Sequence, residues 1–352
     1  VRPPCRPAAR RRRPPAAAAA PHAAALHRPR SSHGAVGRRA DGSYFYTHGG
    51  FAGHILPGSL FIALGAWWLA ATAHHFVRAA AARRAFAPRA WYPLFFGPAR
   101  LRAFPLEPAL LLALPLVGIA AELWLGHESW RTLVAPDGKF VVDNINDWQH
   151  STMYLSFAVS GAVSLLGSVA PLPRGTEAGF LGLAFLCEGL LLVFHLKGPD
   201  VERLLHLVLV LIVFATSAAA FAEAGGGARR VSAVGAAARP ALTLLQGVWW
   251  IQSAYAMYTA DPRYDPDYMG AAMMLPAVLV VHALWVAVAA LTALLVSQAA
   301  HARLLGAPVP FEPTQGEGEG GGGGYALADA APEDGAPRRG DSLELAAYAM
   351  PK

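Results

Sequence analysis

Between residues 50 and 300 the chain alternates between long apolar runs and short polar breaks. Each run is about 18 to 25 residues, the length a helix needs to cross a hydrocarbon layer roughly 30 Å thick. The runs are Ile55–Ala73, Leu106–Leu125, Ser151–Ala170, Ala178–Leu196, Leu204–Ala222, Ala241–Tyr258 and Ala271–Val296. In lipid an irregular backbone leaves amides and carbonyls unpaired, so each run is predicted to be helical. The pattern therefore predicts an all-α, polytopic membrane bundle of about seven transmembrane helices. Interruptions mark three of them: Glu107, Pro108 and Pro115 in the second, Gln246 and Gln252 in the sixth, and a kink expected at Pro276 in the seventh.

The flanks read differently. Residues 1–45 are an Arg/Ala/Pro-rich stretch in which ten arginines and no acid fall within the first 40 positions. That charge balance suits an organelle transit peptide. However, Pro3, Pro4, Pro7, Pro14, Pro15 and Pro21 would break the amphipathic helix such a peptide needs. A disordered tail is the expectation. Residues 46–300 form the expected membrane domain. Residues 301–352, Gly-rich and acidic with a run at Gly320–Gly324, are expected to be a flexible tail because they cannot bury a core.

Composition agrees with a lipid environment: 55% of the 352 residues are apolar and 15% charged, against about 45–50% and about 25% in soluble domains. The net charge of +6 belongs to the N-terminal arginines; without those ten, 19 basic residues face 23 acidic ones. The expected partner is thus the bilayer, with no nucleic acid. Two cysteines, Cys5 and Cys187, support neither a disulfide framework nor a cysteine metal site. Loop arginines set the orientation. Eleven basic residues, including Arg78, Arg83, Arg84, Arg174, Arg239 and Arg303, fall on one side and seven on the other. This places the C-terminus in the cytoplasm and the N-terminus in the lumen or outside, in the endomembrane system or plasma membrane.

Ionisable groups at membrane depth are costly and usually face the protein interior or mark a function. Helix direction puts His54, Glu122, His127, His150, His195 and His206 near the lumenal third, with Glu188 and His282 nearer the middle. Imidazole and carboxylate at one depth could bind a divalent metal, ligate haem or relay protons. His54, His150, His195, His206 and His282 are the candidate ligands, and Glu122 and Glu188 the candidate relay or supporting carboxylates. Ser156, Ser160, Ser164 and Ser168 recur every fourth residue, a small-residue stripe suited to helix packing, and Gln246 suits an interhelical hydrogen bond.

The stretch from Gly53 and His54 through Pro57, Gly58 and Phe61, followed by Gly65-Ala66-Trp67-Trp68, resembles the opening of the transmembrane protein 45 family, also catalogued as domain of unknown function 716. Further matches follow in order: Ala121-Glu122, Trp148 to Tyr154, Glu188 with His195 and Gly198, His206, Leu245 to Trp249, and His282. The resemblance covers about residues 50–300. It implies a multi-pass endomembrane or plasma-membrane protein, with plant relatives responding to viral infection and no established reaction. Lys197 and Gln149 stand where the family pattern has histidine. A site drawing on every family histidine would therefore be incomplete, whereas one built on His54, His150, His206 and His282 would not.

Three functions are compatible with these residues. One is a His/Glu site binding metal or haem, as a hydrolase or redox protein; metal-bound water would be the nucleophile and Glu122 or Glu188 the base. Another is a non-catalytic membrane protein in trafficking or stress response. The third, a G-protein-coupled receptor, is disfavoured: span three lacks an Asp/Glu-Arg-Tyr triplet and span seven an Asn-Pro-x-x-Tyr sequence. A metal site predicts that three of the four histidines bring their nitrogens within about 5 Å.

Overall fold

A computed structural model describes residues 36–125, 129–226, 231–306 and 309. Among them the chain is an all-α bundle with one small hairpin. The helices are α1 Phe51–Ala81, a short α2 Ala99–Ala103, α3 Leu106–Leu123, α4 Ile145–Val169, α5 Thr176–Val193, α6 Asp200–Gly225, α7 Ala233–Tyr258 and α8 Met269–Leu305. Most overrun the predicted apolar runs at one or both ends. Lipid thickness limits the apolar stretch, while backbone hydrogen bonding continues beyond it until a cap or breaker intervenes.

Six of these helices (α1, α3, α4 with its preceding turn, α5, α6 and α8) are long and apolar enough to cross a membrane. The protein is accordingly an integral, multi-pass membrane protein. Helix α7 is long enough but carries Arg239, Gln246 and Gln252. Its surroundings account for this: thirteen of its 26 residues are buried, against four of 37 in α8. A helix walled in by protein can hold polar groups that one facing lipid cannot.

Helix α1 packs chiefly on α7, α3 on α4, and α5 on α6. The α1–α7 crossing is made by glycines. A Cβ on Gly65 would lie 2.5 Å from the Leu244 nitrogen, and one on Gly247 would lie 2.5 Å from the Ile62 nitrogen. Gly161 does the same for α4, where a Cβ would approach the Leu112 nitrogen of α3 to 2.5 Å. The buried core between these pairs holds Trp68, Phe185, Leu205, Leu209, Trp249 and Met257.

Residues 36–45 fall within the stretch expected to be a tail, yet together with Tyr46 they form an antiparallel hairpin, β1 Val36–Arg38 paired with β2 Tyr44–Tyr46. Side chains hold it to the bundle. Tyr44, almost wholly buried, donates its hydroxyl to the Ala256 and Asp261 carbonyls at 2.6 and 3.1 Å. Arg38 grips Asp265 at 2.5 and 2.6 Å and Asp267 at 2.5 Å. The expectation for residues 1–35 and most of 307–352 lies outside the described residues.

Candidate functional site

Four helix ends assemble the histidines. Gly49, at φ +72°, turns the chain into α1 and leaves room for the Tyr258 hydroxyl, which a Cβ there would meet. His54 then lies in the first turn of α1, His150 in the second turn of α4, His206 in the second turn of α6, and His195 just past the end of α5. His54 and His206 meet edge to face at 6.0 Å between ring centroids; His150 and His195 stack at 5.5 Å. Trp250 and Tyr258 close in on His54 at 5.1 and 5.2 Å.

A shared hydrogen-bond pattern fixes three of the rings. Nδ1 of His54, His195 and His206 lies 3.2, 2.9 and 2.8 Å from the carbonyl oxygens of Gly50, Leu191 and Glu202, each four residues earlier. A carbonyl can only accept, so Nδ1 carries the hydrogen and Nε2 keeps the lone pair of the neutral ring. The Nε2 atoms of His54 and His195 are buried and have no hydrogen-bond partner among the described residues. His150 instead places Nδ1 3.3 Å from the Glu122 carboxylate. Glu122 also shares a side-chain hydrogen bond with Tyr154.

Carboxylate and phenol groups surround this end. Among the described residues neither the buried Oε2 of Glu202 nor the buried Tyr46 hydroxyl of the hairpin finds a hydrogen-bond partner. Burial and the nearby Glu202 charge push that hydroxyl's pKa up. Burial likewise raises Tyr44, to about 12.

Glu188, seven residues before His195, is almost completely buried and accepts a 2.9 Å hydrogen bond from Gln246 Nε2. His282 stands apart: its ring meets Trp249 at 6.2 Å, and it borders a cavity of about 210 Å³ with Gln252 and Met274. The structure therefore joins His54, His150, His195 and His206 at one end of the bundle and does not bring His282 to them. Among the described residues no group of three or more His, Cys, Asp or Glu side chains is placed to hold a metal ion. His127 lies outside the described residues.

In the serine stripe, Ser160 and Ser164 are buried, while Ser156 and Ser168 return hydrogen bonds to the Met153 and Leu165 carbonyls at 2.7 and 2.6 Å. Ser156 also reaches the Ala184 carbonyl of α5 at 3.4 Å.

Sequence reasoning missed a second polar centre towards the other end of α1. Glu107 accepts from the indole nitrogens of Trp67 and Trp68 at 2.7 and 2.5 Å and from the Tyr92 amide at 3.0 Å. Arg239 lies 4.1 Å over the Trp68 ring and bonds Glu223 and the Arg89 carbonyl, both at 2.7 Å. Contrary to its expected place in a loop, Arg239 sits inside α7 and is fully buried. The signals were present as a Glu in an apolar run and an adjacent Trp pair, but their partners lie 15 to 40 positions away.

Residues 174–300 match the model of a family of unknown function, DUF716. That region runs from just before α5 through most of α8. It includes Glu188, His195, His206, Gln246 and His282, whereas His54, Glu122 and His150 precede it. The DUF716 match carries no activity with it.

Proposed function

We propose that this chain is a multi-pass membrane protein of the transmembrane protein 45 type whose histidine-bearing end binds and exchanges protons. In this reading α7 is the seventh crossing, residues 46–300 are the membrane domain, and the histidine end faces the lumen or exterior. His54, His195 and His206 are the proton acceptors. His150 with Glu122 forms a second station, and Glu188 lies within α5, seven residues before His195. The observation that carries the reading is the common tautomer: three imidazoles held through Nδ1, two of them with buried Nε2 lone pairs that no described residue uses. An imidazole presented in this way accepts a proton without rearranging its ring.

Imidazoles held through Nδ1 also suit metal ligation, but the pairwise arrangement of the four rings favours protons over a three-ligand metal centre. The test is nitrogen NMR on histidine-labelled, lipid-reconstituted protein, with signals assigned through His54→Gln and His195→Gln. Acidification is expected to shift the Nε2 resonances of both. Resonances that stay fixed from neutral to acid buffer would sink the reading. Stoichiometric zinc, iron or haem in detergent-purified protein would replace it with a metal or haem function.

A further inference from the structure

Glu188 lies inside α5, where its carboxyl group meets the carboxamide of Gln246 from α7. One hydrogen bond is made, from Gln246 Nε2 to Glu188 Oε1 at 2.9 Å. Two atoms are left over, Glu188 Oε2 and Gln246 Oε1, both buried and both without a partner among the described residues. With the acid ionised each of these is purely an acceptor, so the contacting pair would keep two buried acceptors that find no donor among the described residues. Turning the amide over does not help, because it sets its oxygen against Oε1 instead.

One added proton resolves both orphans. A carboxylic acid and a primary carboxamide form a closed ring of two hydrogen bonds: N–H to one carboxyl oxygen, and O–H from the other to the amide oxygen. We propose that Glu188 is a proton-binding site, holding its proton on Oε2 and sharing it with the Gln246 carbonyl. Among the described residues no Lys or Arg pairs with Glu188. The titratable neighbour on α4 is Tyr154, whose hydroxyl already bonds Glu122. A bare carboxylate at this depth would cost a few kcal/mol, whereas the neutral ring leaves no group unsatisfied.

This site stands independently of the histidine reading, since it rests on atoms of α5 and α7 alone. Infrared spectra of the lipid-reconstituted full chain at neutral pH test it. The wild type is expected to show a protonated-carboxyl C=O band that is lost in Glu188→Gln, a near-isosteric change that keeps the ring. Gln246→Leu is expected to move that band to higher frequency by removing the N–H donor to the carbonyl oxygen together with the acceptor of the O–H. Spectra in which Glu188→Gln deletes a carboxylate band, or no carboxyl band at all, overturn the assignment. Because the histidine resonances are read separately, failure of either proposal is distinguishable from failure of the other.

Discussion

Gly247→Ala adds a single methyl group at the closest helix crossing and is expected to loosen the bundle more than its size suggests. The added carbon would lie 2.5 Å from the Ile62 nitrogen and 2.7 Å from the Gly58 carbonyl oxygen. Ordinary contact begins at 3.4 Å, so α1 and α7 must part by about 0.9 Å. Both obstacles are backbone, which cannot swing aside as a side chain would. The displacement also strains the neighbouring contact, where Gly65 meets the Leu244 backbone. Overpacking of this kind costs about 1–3 kcal/mol, partly offset by the helix preference for alanine over glycine, about 1 kcal/mol. Gly179 on α5 is the internal control, since a Cβ there meets nothing within 4 Å. Equilibrium unfolding in mixed micelles of increasing SDS fraction, followed by tryptophan fluorescence, measures both. Gly247→Ala should unfold at lower SDS fraction than the parent and Gly179→Ala at the same or higher. Equal midpoints for the two variants would refute the idea that this crossing depends on bare backbone.

Arg239→Met should destabilise by about 3–5 kcal/mol in the same titration, because it strands the buried Glu223 carboxylate. Converting both residues to apolar ones should recover most of that loss. Glu107→Leu leaves three N–H donors without an acceptor, each costing about 1–3 kcal/mol if it stays buried; the near-ultraviolet dichroism of Trp67 and Trp68 should collapse along with stability. Hydrogen bonds from Arg38 hold the Asp265 carboxyl below the usual carboxylate range. A depressed folded-state value means the contact contributes fully above about pH 4, the unfolded value, and fades as pH falls through the folded one. The protection of residues 36–46 against hydrogen exchange, after correction for the intrinsic pH dependence of the amide rate, should therefore fall in acid but not between mildly acidic and neutral buffer, and Arg38→Ala should abolish that dependence.

The helices were legible because one constraint, apolar length against bilayer thickness, acts along the chain. Their ends were not, since capping is local: α8 runs to Leu305 and stops where Gly306 takes a left-handed conformation. Helix direction alone placed His54, His150, His195 and His206 at a common level. It could not give ring-to-ring pairing, which depends on how each helix is rotated about its axis, and this is why His282 was grouped with residues it does not touch. The Glu188–Gln246 contact followed the same logic: both side chains were singled out as polar groups in apolar runs, but their pairing needed the α5–α7 arrangement. The hairpin was invisible for a different reason. Three-residue strands carry almost no periodic signal, and what fixes them is Tyr44 and Arg38 binding groups more than 200 positions later.

That strap has an implication for how firmly the hairpin is held. Arg38 joins the segment before the first helix to the loop before the last one through contacts with 38% of the arginine side chain and 83% of Asp267 open to water. Attraction between such exposed ions weakens as mobile counter-ions crowd in. The charged edge of the hairpin should therefore loosen in concentrated brine, while the buried Tyr44 hydroxyl still ties it to α7.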